Sequence, residues 1–414
     1  MSIYLSFFSE GKKKFFSKES NKAKISKEIE NIIRHEDGQV ILEEDDSLLI
    51  KICPAGSISV RLEDNKIVGD AQTSIAGPGF HKAVVDLLDK ISSRLKIDID
   101  VEDETTYVNE RDFRQLQRQH HHWLCSFIYE FINQENIEIK RMYVSWRYEE
   151  WVPIDLEGLI TPMGIYSKEY CKKIVKEDRL KEFSTNYFPW FNDKKDALYY
   201  RGMALYLMWN DFCWVKPRTE EELALAERIL SFLAFARRMD PSIKLPLKEW
   251  QEISYLIGRK DANIVGPELN NIKQIGYRRK DILVSIFNYW ELVLPGRMIV
   301  ERERDEVIFR DADKEIHLSE YIIDEENPPF LLKEIAVASS SDSKMIDYLK
   351  EGRYHYKGRY RFISDKKSAR GKWILTGQIN SSDSILVISI SWLKDSDTNW
   401  AVETFSGIRR KGSE

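Results

Sequence analysis

The chain has 414 residues, with 63 Lys and Arg against 68 Asp and Glu, a net charge of −5. With 43% hydrophobic and 32% charged residues it has the composition of a globular protein of roughly two or three domains, not of a disordered or collagen-like chain. That charge balance excludes a uniformly basic protein that coats nucleic acid, and no apolar run approaches the ~18 residues of a membrane-spanning helix, so no span is expected.

At the N-terminus a short apolar run, Ile3 to Phe8, precedes Lys12-Lys13-Lys14. A secretory signal has the opposite order and a longer run, so export by that route is not expected. Residues 11–27 carry seven lysines and one acid and read as a basic arm, either a tail or packed on the domain. Phe7, Phe8, Phe15 and Phe16 could serve it as weak anchors at an anionic surface. Short apolar runs at 39–42, 47–52 and 57–62, separated by turn formers such as Pro54-Ala55-Gly56, predict an antiparallel meander. Gly77-Pro78-Gly79 breaks it, and Phe80, Val84, Leu87, Leu88, Ile91 and Leu95 then fall at helical spacing. The acidic stretch Asp98 to Glu104 reads as a connection. A second helix is predicted over about 109–133, with Phe113, Leu116, Trp123, Leu124, Phe127, Ile128 and Phe131 on its apolar face.

From about 166 to 260 the pattern is helical. Ala197 to Phe212 is apolar almost all round and is expected to be central. Thr219 with Glu222 has the spacing of a capping box. The ending Ala236-x-x-x-Asp240-Pro241 resembles the second helix of a tetratricopeptide repeat. No fixed period accompanies it, so a plain bundle is the expectation. Strand patterns return near 282–287, 298–300 and 307–309, and Asn327-Pro328-Pro329 reads as a sharp turn. A short helix is predicted at 344–350, then strands at about 353–363, 372–379, 384–393 and 399–406. The expected class is α+β: an N-terminal antiparallel sheet with helices (1–162), a central helical region (163–278) and a C-terminal antiparallel sheet or small barrel (279–414).

Cys53, Cys125, Cys171 and Cys213 form no CxxC pair, which fits a reducing compartment and places the protein in the cytoplasm by default. Phosphate-loop, dinucleotide, zincin and nucleophile-elbow signatures are all absent, so no cofactor is expected. Gly77-Pro78-Gly79-Phe80-His81 offers a helix start that could hold an anion, but it reads first as a rigid corner. His120-His121-His122 lies inside the second helix, and His121 and Cys125 are i, i+4 neighbours. Two ligands do not make a metal site, so none is expected, and packed or surface histidines are the default. Residues 353–372 carry eight Lys and Arg and one Asp. There Arg353, Lys357, Arg359 and Arg361 alternate with aromatic residues. The alternation favours rings in the core and cations in water over a nucleic-acid contact, which needs both on one face. Phe188, Trp190 and Phe191 sit in a dense aromatic stretch and would anchor a protein interface if they reach solvent.

Taken together, these features predict a non-enzymatic protein that binds another protein, of the toxin-neutralising (immunity) or defence-accessory kind. A nucleic-acid-binding protein using 353–372 is the first alternative. A hydrolase with an unrecognised site near His81, His120 and His121 is the second.

Overall fold

The computed structural model describes residues 2–9, 20–35, 39–42, 47–63, 66–134, 140–146, 150–259, 264–269, 274–287, 289–303, 306–322, 345–350, 356–365, 372–381 and 384–411. Lys12-Lys13-Lys14, Phe15, Phe16, Asn327-Pro328-Pro329 and Arg353 lie outside them. The fold is α+β. The chain forms two compact units, the first of Met1–Trp146, Leu156–Phe212 and Lys216–Gly276, the second of Arg147–Asp155, Cys213–Val215 and Tyr277–Glu414.

Unit 1 begins with β1 (Tyr4–Ser9), α1 (Ser20–His35), β2 (Gln39–Leu42), β3 (Ser47–Cys53), β4 (Gly56–Glu63), β5 (Lys66–Gln72), α2 (Pro78–Leu95) and β6 (Ile99–Asp103). The meander forms as its turns predict, and its antiparallel sheet has the order β2-β3-β4-β5-β1-β6. Two expectations change. Part of the basic arm, from Ser20 onward, is helical, and the apolar run before it is an inner strand: Leu5 and Phe7 face the core while Tyr4 and Phe8 face out. The acidic connection is edge strand β6, paired with β1. Its acids Asp100 and Glu102 alternate outward, so their charge stays in water while the backbone completes the ladder.

The helices follow: α3 (Tyr107–Glu110), α4 (Phe113–Asn133), α5 (Lys168–Lys176), α6 (Leu180–Tyr187), α7 (Ala197–Asn210), α8 (Glu220–Met239) and α9 (Leu247–Leu256). A small sheet of β7 (Arg141–Tyr143), β9 (Gly158–Thr161) and β10 (Gly164–Tyr166) lies among them in the chain. Asp112 starts α4 by accepting the N–H groups of Arg114 and Gln115 at 2.9 and 3.1 Å. Thr219 caps α8 by accepting the Glu222 N–H at 3.2 Å. The return arm of the box is displaced by one residue, since Glu222 accepts the Arg218 N–H at 2.7 Å and also takes its guanidinium. As its composition implies, α7 is buried nearly all round. Among the described residues no helix is long and apolar enough to cross a membrane.

Unit 2 contains β8 (Trp151–Pro153), β11 (Asp281–Ile286), β12 (Trp290–Pro295), β13 (Ile299–Arg302), β14 (Glu306–Arg310), β15 (Lys314–Ile322), β16 (Met345–Lys350), β17 (Tyr356–Asp365), β18 (Lys372–Asn380), β19 (Ser384–Trp392), α10 (Thr398–Gly407) and β20 (Arg409–Arg410). Its sheets have the orders β20-β12-β11-β8 and β13-β14-β15-β19-β18-β17-β16. The core includes Trp290, Phe309, Leu375, Ile388, Trp392 and Phe405. The helix expected at 344–350 is strand β16, because its backbone pairs with β17 from Met345–Arg361 to Lys350–Tyr356. The strand expected at 399–406 is helix α10. Its buried Ala401, Thr404 and Phe405, followed by Ile408, recur at i, i+3, i+4 and i+7, a helical rather than an alternating period.

The dense aromatic stretch meets the glycine corner inside unit 1. Trp190 N–H donates to Ala76 O and Gly79 N–H donates to Trp190 O, both at 2.8 Å. A Cβ on Gly79 would lie 2.0 Å from Trp190 Cδ1, and one on Gly202 of α7 would lie 2.5 Å from Pro189 O. Alanine normally strengthens a helix interior by about 1 kcal/mol over glycine. At Gly202 the backbone contact reverses the sign, and Gly202→Ala is expected to destabilise by roughly 1–3 kcal/mol. Urea unfolding checks this through a fall in the midpoint.

Candidate functional site

The sequence singles out His81, the triple histidine and the aromatic stretch, and the structure separates them into distinct settings. His81 on α2 is fully buried. Its Nδ1 lies 3.0 Å from Thr73 Oγ1, and its Nε2 lies 3.3 Å from both Thr105 Oγ1 and Asp103 Oδ1. Asp103 accepts further bonds from the Thr105 N–H and hydroxyl and from the Val108 N–H, at 2.7–2.9 Å. Burial opposes the ionised carboxylate, but His81, Thr105 and the Val108 amide outweigh it and hold Asp103 well below the usual range. His120 of α4 packs edge-on to His81, ring centroids 5.8 Å apart, and its Nδ1 lies 3.1 Å from Leu116 O. Burial, with the charge of His81, pushes its pKa down to about 3. Both rings are sealed from solvent. The pair packs α2 against α4. The helix start at Gly77-Pro78-Gly79 is likewise a corner, with the Gly79 N–H already given to Trp190 O.

His121 is held elsewhere. Its Nδ1 lies 2.7 Å from Ser184 Oγ of α6, and its Nε2 lies 3.5 Å from Cys125 Sγ. Ser184 gives its hydroxyl proton to Leu180 O at 2.9 Å, leaving its oxygen to accept from His121. Burial pushes the Cys125 thiol up to about 11, so it stays protonated near neutrality. The group therefore holds no activated nucleophile. It borders a cleft of about 770 Å³ with Arg114, Arg118, Lys181 and Phe191 on its walls. Among the described residues no group of three or more His, Cys, Asp and Glu could hold a metal.

Of the three aromatic anchor candidates, Phe188 and Trp190 are 2% and 5% exposed, so they belong to the core. They are buried because their backbone docks on the glycine corner. Phe191 is half-buried and lines the Arg114–Arg118 cleft. Lys357, Arg359 and Arg361 lie along β17 at the register of Asn380, Gln378 and Thr376 of β18. Tyr360 and Phe362 pair with Gly377 and Leu375.

Sequence reasoning did not single out the outer face of α8. Phe232, Phe235 and Met239 recur at i, i+3 and i+7; Phe235 is 42% and Met239 53% exposed. Tyr200 of α7 stacks on Phe235, centroids 5.3 Å apart. Arg238 lies over the Phe235 ring at 4.5 Å and Arg228 over the Phe232 ring at 5.5 Å. The sequence signal was an apolar stripe on α8 wider than one buried face requires.

No family model matches the chain, and no curated protein matches it. One solved structure with a local likeness is cyanobacterial PsbP from Synechocystis, at 12% identity and TM-score 0.25, covering 34% of this chain and 97% of that one. At that score the likeness supports no conclusion.

The buried histidine gives a pH dependence of definite sign. Between its folded value of about 3 and its ordinary 6.5, His120 binds a proton only when the chain unfolds. Its contribution to stability is complete above about pH 6.5 and falls by up to ~1.4 kcal/mol per unit as the pH drops toward 3. His121, lowered mainly by burial, acts in the same direction, so the difference between variants is the measurement. In His120→Gln, the loss of urea stability from pH 7 to pH 5 is expected to be shallower than in the parent.

Proposed function

We propose that this chain works by binding another protein and carries out no chemistry at its histidines, and that the outer face of α8 is where the partner docks. The observation that carries this reading is the row formed by half-buried Phe232 and exposed Phe235 and Met239, bracketed by Arg228 and Arg238. Aromatic, Met and Arg side chains are the groups enriched where protein surfaces meet. Here the rings are already stacked on Tyr200 and under the guanidinium groups, so ordering them on binding costs little entropy. The two arginines fit a partner that presents an apolar anchor flanked by carboxylates. A toxin-neutralising or defence-accessory protein is one member of that class. Cys53, Cys125 and Cys171 are free and buried, with all three thiols pushed up mainly by burial, which supports a reducing, cytoplasmic setting.

A photo-crosslinking residue placed at Phe235 in cells is expected to give one discrete adduct, absent when it is placed at the exposed Tyr321 of β15. No adduct at Phe235, or the same adducts from both positions, would reject the docking face. With the crosslinked partner purified, Phe235→Asp is expected to weaken binding by about 2 kcal/mol or more. Its unfolding free energy from urea titration should change far less than that, by about 0.5 kcal/mol.

A further inference from the structure

A second feature of unit 1 is independent of the α8 face. A pocket of about 370 Å³ is lined by residues of α5, α6 and α7 together with Met163, Tyr166, Lys244 and Leu269, and Arg201 is part of that lining. Arg201 is 6% exposed. Its Nη2 donates to Asn186 Oδ1 at 2.6 Å, and Asn186 is oriented by donating its own amide to Glu182 O at 2.8 Å. The Arg201 Nε is buried without a hydrogen-bond partner among the described residues, and none of their carboxylates forms an ion pair with the guanidinium.

The nearby acids are already committed. Glu182 pairs with Arg179 through two bonds at 2.9 and 3.2 Å. Asp196 caps α7 through the Tyr199 N–H and also takes the Asn192 amide. Burial accordingly pushes Arg201 down to about 10, with the Asp196 charge acting against it. A buried guanidinium whose hydrogen-bond partner among the described residues is a neutral amide is destabilised unless a further negative charge arrives. The walls combine rings with charge: Tyr166 stacks on Tyr170 with centroids 5.8 Å apart, Phe183 meets Tyr166 edge-on at 4.9 Å, Met163 and Leu205 add apolar surface, and the Arg179–Glu182 pair and the exposed Lys244 also line the pocket. The volume suits a small organic molecule.

The geometry points to this pocket as a binding site for a small organic carboxylate, its anionic head on Arg201 and Asn186 and its apolar or aromatic body against Tyr166, Phe183 and Leu205. A carboxylate is favoured over a phosphate by charge balance. Arg201 is the buried cation and matches a single negative charge; Arg179 is already paired with Glu182, so the second charge of a dianion would meet only the exposed, solvent-screened Lys244 among the described lining residues.

The test is calorimetric titration of the full chain with benzoate, benzamide and phenyl phosphate. Saturable benzoate binding is expected, with benzamide and phenyl phosphate each weaker by about tenfold or more. Arg201→Gln should abolish benzoate binding while raising Tm, by roughly 2–4 °C if the unpaired charge is destabilising. Asn186→Asp, at an exposed position, supplies a carboxylate from within. It should raise Tm and also lose benzoate, a pair of changes that a purely structural arginine would not link. Absence of benzoate binding, benzoate binding that survives both substitutions, or tighter binding of phenyl phosphate would each overturn the assignment.

Discussion

The close approach of the Phe188–Trp190 segment to Gly79 and Gly202 is the constraint on which unit 1 depends. Two backbone hydrogen bonds hold the segment at the start of α2, and the absence of two side chains lets it lie there. From this contact the packing spreads in both directions. Phe188 meets the His120 ring, with centroids 5.6 Å apart, and His120 meets His81, which holds Asp103 and Thr105. Trp190 meets Tyr199 at 4.8 Å on α7. The sheet-bearing and helical parts of the unit thus share one core rather than two.

Two groups of buried polar residues in this unit differ in a way that bears on function. Around His81 the cluster is filled: both ring nitrogens and both Asp103 oxygens have partners within 3.3 Å, and no cavity is needed to explain them. Such a network rigidifies a core and leaves nothing for a ligand to do. Around Arg201 the accounting does not close: among the described residues Nε has no partner, the acceptor of Nη2 is a neutral amide, and a pocket lies alongside. A buried charge is costly in proportion to what it lacks. His120 Nε2, packed beside His81, is also without a hydrogen-bond partner among the described residues, so what sets Arg201 apart is its charge together with the pocket it lines.

Much of the fold was legible because local pattern and tertiary environment agree. The meander at 39–72, α2, α4 and the all-round apolar α7 follow directly from turn chemistry and period. The misreadings occurred where a partner element decides. The acids of β6 look like linker until β1 is there to pair with, and β16 is a strand because β17 lies beside it. At α10, apolar residues on both parities of a short run imitate a strand, and only the burial of Ala401, Thr404 and Phe405 reveals the helical period. Exposure was the least legible property. Phe188 and Trp190 looked like anchors by residue type, yet what buries them is a glycine corner more than a hundred residues earlier, a contact no local window contains.

Arg201 did leave a local trace, a single cation within an otherwise apolar helix. Its significance depends on how α7 distributes its neighbours. Successive residues of an α-helix point about 100° apart, so Tyr200, Arg201 and Gly202 address three different surroundings. Tyr200 stacks on Phe235 at the exposed face of α8, Arg201 lines the pocket, and Gly202 admits Pro189. Substituting the glycine disturbs the core contact that fixes the rotation of the helix about its axis, and that rotation sets where the other two side chains point. The docking face and the carboxylate pocket are chemically independent, but both are positioned by the same close contact.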